Sequence, residues 1–326
     1  MAPDRLLRVG TRASRLARWQ TETVVGALEA RWRDLRVERV SISTIGDRVT
    51  DVPLPRIGDK GIFTRELEDG LRDGTIDFAV HSLKDLPTEQ PDGLALAAVL
   101  EREDPRDALV AASPTTLAGM APGARVGTSS LRRRAQLLAA RPDLDVCDLR
   151  GNVPTRVDKV LRGDLDAAVL ALAGLKRLDL ACHAREVFAP PVMLPAPGQG
   201  AMAVQVRASD VSVSALLSTL DHRHTRLETS AERALLGHLE GGCQAPVGAL
   251  ATLSPDGLMT LDAVVASLDG RRVIRRGAEA RVATDEEAIW LGRRLADRLL
   301  ADGADAILRD VRQTLPLPLA LPRGVV

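Results

Sequence analysis

Through residues 5–200, apolar positions alternate between a spacing of two residues and the spacing of an amphipathic helix. Short aliphatic and β-branched runs predict strands, and the longer amphipathic stretches between them predict helices. The predicted strands are 5–10, 37–45, 76–81, 94–100, 107–112, 124–128, 144–149 and 166–171, and the predicted helices are 14–32, 62–73, 130–140 and 153–162. Such alternation is typical of α/β sheets with parallel strands.

Two polar stretches interrupt this pattern. Residues 46–61 combine prolines, glycines and charges, and they predict a long mobile loop. Residues 101–106 form a charged break between two short apolar runs. That break indicates a hinge between two α/β units.

The last third of the chain has a different order of elements. Helical patterns cover 211–219 and 225–240, three strands are predicted within 245–280, and a further helix is predicted at 285–301. The strands are separated by turn sequences at 255–257 and 268–270. This order indicates a small α+β unit. The tail at 315–326 is broken by prolines and is expected to be poorly ordered.

Composition narrows the choice of partners. The formal net charge is zero, which is unlike a general polyanion binder. With three Trp, three Phe and no Tyr, the chain has few rings on which nucleic-acid bases could stack. No run has the length of a membrane span, and the N-terminus lacks the apolar segment of a signal peptide. We therefore expect a cytoplasmic, soluble protein without a nucleic-acid or membrane partner.

Three cysteines lie far apart, which indicates neither a disulfide framework nor a metal knuckle. Cys243 follows two glycines and stands shortly before a proline, so it is predicted to lie on a loop. A cysteine displayed in this way is a candidate attachment point or nucleophile. His238 is a conceivable base for it, but a Cys–His hydrolase also needs an orienting residue and an oxyanion hole, and the sequence indicates neither.

Three basic segments follow predicted strands. They are 8–14 (RVGTRAS), 127–134 (GTSSLRRR) and 149–156 (LRGNVPTR). Backbone N–H groups, hydroxyls and the positive end of a helix suit an anion, and arginine adds a planar fork for carboxylate or phosphate. Because the carboxyl ends of parallel strands meet at one edge of a sheet, the segments are expected to face one cleft. The predicted ligand carries several negative groups.

A further candidate is the pair Lys84 and Asp85, at the end of the predicted strand 76–81. Asp85 is a possible general acid or base, and a surface ion pair with Lys84 is the alternative. His81 is expected to be structural. Gln199 lies between two glycines that would let the backbone approach a ligand closely, although a simple turn is the alternative.

Together these segments resemble the hydroxymethylbilane synthase family, also called porphobilinogen deaminase. The matching runs keep the family's order. They are 9–12 (VGTR), 58–63 (GDKGIF), 81–85 (HSLKD), 101–107 (EREDPRD), 127–133 (GTSSLRR), 149–156 (LRGNVPTR), 173–178 (AGLKRL), 197–201 (PGQGA) and 239–244 (LEGGCQ).

The resemblance implies a transferase of tetrapyrrole (heme and porphyrin) biosynthesis. Such an enzyme joins four porphobilinogen molecules head to tail, releases ammonia at each step and then releases hydroxymethylbilane by hydrolysis. The growing polypyrrole chain is a polycarboxylate, which fits arginine clusters in a protein of zero net charge. The family builds it on a covalent dipyrromethane cofactor held by a thioether, here at Cys243. No metal is implied.

The resemblance also implies residue roles. Asp85 would be the catalytic carboxylate, which hydrogen-bonds pyrrole N–H groups and stabilises the positive azafulvene-like species formed as ammonia leaves. The residues implied to bind the cofactor and chain are Lys84, Thr128, Ser129, Ser130, Arg132, Arg133, Arg150, Arg156 and Gln199. Those implied to position the incoming substrate are Arg12, Ser14 and Arg177. Arg56 stands where many members have lysine, and Arg134 extends the usual arginine pair; the roles of both stay open.

The implied fold is α/β: two periplasmic-binding-protein-like α/β domains plus a small C-terminal α+β domain. The first domain would comprise 1–100 and 200–217, with Asp85 and the mobile loop. The second would be the arginine-rich 105–195, and the third, 222–312, would carry Cys243. Nothing in the sequence demands an oligomer, so a monomer is expected.

Two other function classes stay open from the residues alone. The first two hundred residues would suit a non-catalytic anion receptor, and the run 132–134 would suit a nucleic-acid binder. Steady release of ammonia from porphobilinogen would exclude the receptor. Failure to shift DNA or RNA at low salt would exclude the nucleic-acid binder.

Overall fold

The computed structural model describes residues 6–48, 63–239 and 245–314. Helices cover the faces of three sheets. The strands are β1 (Leu7–Thr11), β2 (Val37–Ser41), β3 (Phe78–Ser82), β4 (Leu94–Val99), β5 (Asp107–Ala111), β6 (Arg125–Gly127), β7 (Asp145–Cys147), β8 (Ala167–Ala171), β9 (Ala184–Val187), β10 (Met202–Arg207), β11 (Val247–Leu253), β12 (Leu258–Ala266) and β13 (Val273–Arg281). The helices are α1 (Arg15–Arg31), α2 (Ile45–Arg48), α3 (Arg65–Arg72), α4 (Leu131–Ala140), α5 (Val153–Leu161), α6 (Leu172–Arg177), α7 (Val211–Leu217), α8 (Arg223–His238), α9 (Asp285–Ala301) and α10 (Ala304–Thr314).

The first sheet has the strand order β2-β1-β3-β10-β4. Strand β1 pairs in parallel with β2 and β3, whereas β10 runs antiparallel to β3 and β4. Because β10 is an almost wholly buried run, it suits the centre of a sheet that is covered on both faces. Val24 and Leu28 of α1 pack on one face, against Val9 and Phe78. The chain therefore returns to this sheet after it has built the second one.

The second sheet follows the same plan, with the order β7-β6-β8-β5-β9. Strand β6 pairs in parallel with β7 and β8, and β5 runs antiparallel to β8 and β9. Aliphatic cores lie on both faces, and they include Val169 on one side and Leu170 on the other. Every residue of β5 is buried, including the charged Asp107 at its start.

The C-terminal unit is an antiparallel sheet, β11-β12-β13, with α8 and α9 packed against it. Leu235, Leu261 and Leu295 contribute to its core. Helix α9 begins with a capping box in which Thr284 and Glu287 satisfy each other's backbone N–H groups. The predicted fold class, α/β with a small C-terminal α+β unit, is confirmed, and so are the three strands predicted within 245–280.

Several local predictions were wrong. The sheets are mixed, because β5 and β10 run against their neighbours. The strand predicted at 37–45 stops at Ser41, and Ile45 starts α2 because its N–H donates to Glu66 Oε1 at 2.8 Å. The predicted loop at 46–61 thus begins inside α2, and its remainder, like the tail at 315–326, lies outside the described residues. Helices α6 and α10 and strand β9 were not predicted; α6 and β9 are too short to show a period.

Two chain segments connect the first sheet to the second, and α8 holds both of them. Arg102, on the segment after β4, donates to Glu232 Oε1 at 2.7 Å and to Glu232 Oε2 at 3.0 Å. Gly198, on the segment before β10, donates its N–H to Glu232 Oε2 at 2.7 Å. The Glu232 side chain is fully buried. One buried carboxylate therefore joins the C-terminal unit to both connections.

Glu232→Gln is expected to lower the free energy of unfolding by about 3–5 kcal/mol, because the buried Arg102 would lose its close counter-charge and keep only Glu228, at 3.9 Å. Asp305→Ala is the control: it removes an exposed ion pair with Arg309 and should change stability by less than about 1 kcal/mol. Urea unfolding followed by circular dichroism measures both. An equally small effect of the two substitutions would show that the buried pair does not stabilise the connections.

Candidate active site

Two cavities adjoin each other and share Leu16 and Ser82: one lies between the first two sheets, and the other is lined only by residues 12–85, around the first sheet. We call one the inter-sheet cavity and the other the Asp85 cavity. Polar residues that line the inter-sheet cavity are Lys84, Arg133, Arg156, Arg177 and Gln199. Polar residues that line the Asp85 cavity are Arg12, Ser14, Gln20, Thr64, His81, Ser82 and Asp85. All three predicted basic segments thus contribute to one cleft.

Strand ends and helix starts bring these side chains together. Lys84 and Asp85 lie on a 3-10 turn directly after β3. Arg133 lies in the first turn of α4, which follows β6 and is capped by Ser130. Arg156 lies in the first turns of α5, which follows β7 and is capped by Asn152. The segments after β6 and β7 meet at one edge of the second sheet, as expected, whereas the segment after β1 belongs to the first sheet and meets them across the space between the sheets.

The Asp85 cavity has a cationic wall. The Arg12 guanidinium lies 4.3 Å from the centre of the Phe63 ring, a distance at which the ring face attracts a cation. Ser14 caps α1 by accepting from the Ala17 N–H at 3.2 Å. Burial, together with the charge of Arg12, lowers the pKa of His81 to about 4, so His81 is neutral at physiological pH. Asp85 thus faces a pocket in which a second anion would find a partner in Arg12.

A hydrogen-bonded network centred on Gln199 lines the inter-sheet cavity. Lys84 Nζ donates to Gln199 Oε1 at 3.3 Å, and Arg133 Nη2 reaches the same oxygen at 3.4 Å. Gln199 Nε2 donates to Pro105 O at 2.7 Å and to Asp107 Oδ1 at 2.9 Å. Burial lowers the pKa of Lys84 to about 8, and Arg133 acts in the same direction. Gln199 lies on a turn over residues 197–200, and its side chain is fixed there by this network.

Asp107 is the residue that sequence reasoning missed. Its carboxylate is fully buried and accepts from Arg132 Nη1 at 2.7 Å, from Arg133 Nε at 3.0 Å and from Arg133 Nη2 at 2.7 Å. Burial opposes ionisation, but the two guanidiniums outweigh it and hold the pKa of Asp107 below its ordinary range. A sequence signal existed: an aspartate opens an otherwise apolar strand, and a buried carboxylate there needs a cationic partner.

Other predicted site residues lie behind the cavity walls and stabilise them. Ser129 Oγ donates to Leu149 O at 2.9 Å and accepts from the Leu149 N–H at 3.1 Å. Thr128 Oγ1 accepts from the Ser130 N–H at 3.2 Å. Arg132 is buried and donates to Leu194 O at 2.7 Å as well as to Asp107. These residues stabilise the turn between β6 and α4, and none of them lines either of the two cavities.

The remaining arginines differ in position. Arg156 Nε donates to Gly151 O at 2.7 Å, and burial followed by Arg133 and Arg150 lowers its pKa to about 10. Arg177 donates to Gly200 O at 2.5 Å and lies 5.6 Å from the centre of the Trp19 ring. Burial lowers the pKa of Arg177 to about 10 as well. Both therefore stay cationic at neutral pH.

Two sequence candidates lie elsewhere. Arg134 donates to Val146 O at 2.6 Å and lines a separate cavity between α4 and the turn that joins β12 to β13. It therefore does not extend the arginine pair into the cleft. Cys243 lies outside the described residues, between the end of α8 and the start of β11. His238 interacts through Nε2 with Asp297 Oδ1 at 2.6 Å, on the side of α9.

Two searches of the described residues bear on other kinds of site. No helix within residues 6–48, 63–239 and 245–314 has the length and apolar character needed to cross a membrane. The same ranges contain no group of three or more His, Cys, Asp or Glu side chains arranged to hold a metal ion.

Comparison with known proteins gives consistent matches. Residues 7–215 match the family model of the porphobilinogen deaminase dipyrromethane cofactor-binding domain, and residues 226–301 match that of the porphobilinogen deaminase C-terminal domain. The porphobilinogen deaminase of Moorella thermoacetica is 51% identical over 94% of this chain and 96% of its own. That of Trichlorobacter lovleyi is 48% identical over 96% and 98%. Among solved structures, the periplasmic sulfonate-binding protein SsuA from Methylobacillus flagellatus matches 72% of this chain and 68% of its own, with a TM-score of 0.40 and 12% identity.

Proposed function

The chain belongs to the porphobilinogen deaminase family, and we propose that the two adjoining cavities form the active site of that enzyme. It is a hydroxymethylbilane synthase, a transferase that joins porphobilinogen units with release of ammonia in tetrapyrrole biosynthesis. Its cofactor is dipyrromethane. Residues of the two cavities would divide the binding and the chemistry between them.

The observation that carries the site assignment is the meeting of Lys84, Arg133 and Arg156 on one cavity that adjoins the cavity of Asp85. Porphobilinogen carries an acetate and a propionate, so a chain of such units presents many carboxylates. Ammonium and guanidinium groups with restricted access to water bind carboxylates strongly. A cationic cavity that binds the carboxylates of the chain, next to a cavity that contains Asp85, therefore suits the polymerisation.

The same residues fit the dipyrromethane group. Lys84, Arg133 and Arg156 would hold its carboxylates, and Gln199 would contact its polar edge. Arg132 Nε is a buried donor for which the described part of the chain supplies no hydrogen-bond partner, and Arg132 itself lies behind the cavity wall. When bound, the group supplies the pyrrole on which the chain grows. We propose Cys243 as its thioether anchor, on the strength of the run 239–244 alone.

Asp85 is proposed to be the catalytic residue. Its carboxylate accepts hydrogen bonds from pyrrole N–H groups and orients the ring toward the Lys84 side. As ammonia leaves porphobilinogen, positive charge develops on the substrate, and a fixed carboxylate favours that charge over the neutral ground state. The same carboxylate can receive the proton that a pyrrole carbon loses after the new bond forms.

Arg12 and Ser14 are proposed to position the incoming porphobilinogen, because they share the cavity of Asp85. Arg177, with its guanidinium beside Gly200, is proposed to contact the substrate from the inter-sheet cavity. Thr128, Ser129, Ser130 and Arg150 are proposed to act on the cofactor through the turns and charges they maintain. In this way the Asp85 cavity serves the incoming porphobilinogen, and the inter-sheet cavity serves the chain already built and, through Arg177, the incoming unit as well.

The domain boundaries are also a proposal: 1–100 with 200–217, 105–195, and 222–312. The membership of β10 in the first sheet supports the return of 200–217 to the first domain. We further propose that the enzyme works as a cytoplasmic monomer without nucleic acid or membrane as a partner. Light scattering after gel filtration should give a mass near 34.9 kDa.

Arg156→Gln is expected to lower kcat/KM for porphobilinogen by about 10–100-fold, because a hydrogen bond to a charged group contributes about 1.5–3 kcal/mol. Arg162→Gln is the matched control, since Arg162 follows the end of the same helix and forms only an exposed pair with Asp164. Initial rates of porphobilinogen consumption measure both variants. Equal rates for wild type and Arg156→Gln would remove Arg156 from the carboxylate-binding wall.

The overall reaction is tested separately by steady release of ammonia from porphobilinogen by the wild-type protein. A receptor for anions would bind porphobilinogen without releasing ammonia beyond the amount of protein present. Catalytic release distinguishes the synthase from both alternatives considered for the sequence.

A further inference from the structure

A continuous line of polar contacts joins the buried Asp107 to Lys84 at the cavity. Asp107 Oδ1 accepts from Gln199 Nε2 at 2.9 Å, and Gln199 Oε1 accepts from Lys84 Nζ at 3.3 Å. The same carboxylate accepts from two nitrogens of Arg133, Nε and Nη2, and from Nη1 of Arg132. Asp107 itself does not line either cavity. One inaccessible group thus contacts Arg133 and Gln199 directly and is linked to Lys84 through Gln199.

We propose that Asp107 is a positioning residue for the condensation reaction: it orients Arg133 and Gln199 toward the inter-sheet cavity and keeps Lys84 protonated there. The inference rests on the proposed function, because it concerns groups assigned to bind cofactor and chain. Asp107 never meets the ligand. It acts through the side chains it holds.

Geometry supports the orienting part. Arg133 donates from Nε and Nη2 to Asp107 and from Nη1 to Val169 O, so all three nitrogens of its guanidinium are held by acceptors. Arginine otherwise has many rotamers, and freezing them on binding would weaken affinity. Asp107 is anchored in turn, because it opens a fully buried strand that pairs with β8 and β9. The guanidinium is therefore set before a carboxylate arrives.

Electrostatics support the second part. Around Lys84 stand two cations, Arg133 and Arg132, which favour its neutral form, and two anions, Asp85 and Asp107, which favour its charged form. Arg156 on α5 lines the same cavity. With its pKa near 8, Lys84 is mostly protonated at neutral pH. A further decrease of about one unit in that pKa would leave a large fraction of Lys84 neutral. Loss of the Asp107 charge lowers that pKa further, so less of Lys84 carries the charge that a carboxylate needs.

The direct test measures Lys84 itself. The chain has only four lysines, at 60, 84, 159 and 176, so lysine labelled with 13C at Cε gives a simple spectrum, and Lys84→Arg assigns the signal. Titration is followed in Cys243→Ser protein, which cannot form the thioether, so that bound ligand does not contribute. Asp107→Asn is expected to lower the proton affinity of Lys84 about threefold to tenfold. Asp104→Asn is the matched control, because Asp104 pairs with Arg106 on the same connection.

Kinetics of the enzyme that carries Cys243 give the second readout. In wild type, loss of activity with rising pH should follow Lys84 near pH 8. In Asp107→Asn, this alkaline loss should begin at lower pH, and KM for porphobilinogen should rise about tenfold. Asp107→Glu keeps the charge but moves it, so its alkaline loss should match wild type while KM still rises. A merely structural residue would shift thermal stability and leave the pH profile in place.

Each outcome decides the proposal. An unchanged Lys84 titration together with an unchanged KM in folded Asp107→Asn overturns it. If Asp107→Asn does not fold, an unchanged KM in Asp107→Glu overturns it. If neither variant folds, Asp107 is needed for the fold and the positioning role is overturned. Porphobilinogen turnover by the wild-type protein is independent of all three results, so failure of this proposal is distinct from failure of the proposed function.

Discussion

Asp85→Asn is expected to lower the turnover of porphobilinogen by about 10²–10⁴-fold, the usual contribution of a positioned acid or base. The substitution keeps the size of the side chain and removes its charge. Asp85 lines a cavity whose other wall carries Arg12, so the lost carboxylate would leave developing positive charge on the substrate next to a cation. Folding should be unaffected, because Asp85 lies at the end of a short turn at the cavity surface.

The control for this variant is Asp92→Asn, which changes an exposed carboxylate in the turn before β4. Rates are measured as porphobilinogen consumed and ammonia released, and circular dichroism checks the fold. Near-normal turnover by Asp85→Asn would remove Asp85 from the mechanism. Loss of activity in both variants would point to damage of the first sheet instead.

Cys243→Ser is expected to lose the covalent cofactor entirely. The intact mass of the purified wild-type protein should exceed the mass of its sequence by two linked pyrrole units, and the variant should show no excess. A serine hydroxyl is a much weaker nucleophile than a thiolate at neutral pH, so the thioether has no equivalent in the variant. Turnover should fall with the cofactor, because the growing chain has no anchor.

Cys182→Ser serves as the matched control, since Cys182 is an exposed free cysteine that lines neither cavity. It should keep the mass excess of the wild type. An excess that persists in Cys243→Ser would move the anchor to another residue. If wild type and Cys243→Ser both have the unmodified mass, incubation with porphobilinogen and a second weighing separates a preparation without cofactor from a protein that never acquires one.

Local sequence patterns were sufficient for much of the site. Glycines, hydroxyls and arginines after three predicted strands indicated a cleft for a polyanion, and residues from all three segments line the two adjoining cavities. Lys84 and Asp85 also lie where the pattern predicted. The reason is physical: strand ends, helix caps and turns depend on neighbouring residues, and parallel pairing brings equivalent ends to one edge.

Non-local contacts determine the features that local sequence patterns did not predict. The family resemblance implied the return of 200–217 to the first domain, but residues 202–207 alone did not predict it, because a short buried run fits any central strand. The direction of Arg134 was also open until the carbonyl of Val146 proved to be its partner. Short elements such as α6 depend on what packs against them.

By itself, the sequence determined the α/β class, the C-terminal α+β unit, the polyanion cleft and the family to which the chain belongs. Its periodicity, turn residues and ordered motifs are local properties, so they can be recognised from the sequence without a structure. Only the tertiary structure decided which cations face the cavity and which are held behind it. Arg132 and Arg133 are adjacent in sequence, and both pair with Asp107, which β5 brings to them. Arg132 also donates to Leu194 O behind the cavity, whereas Arg133 lines the cavity. Charge partners separated by tens of residues are set by sheet topology, and no local pattern encodes them.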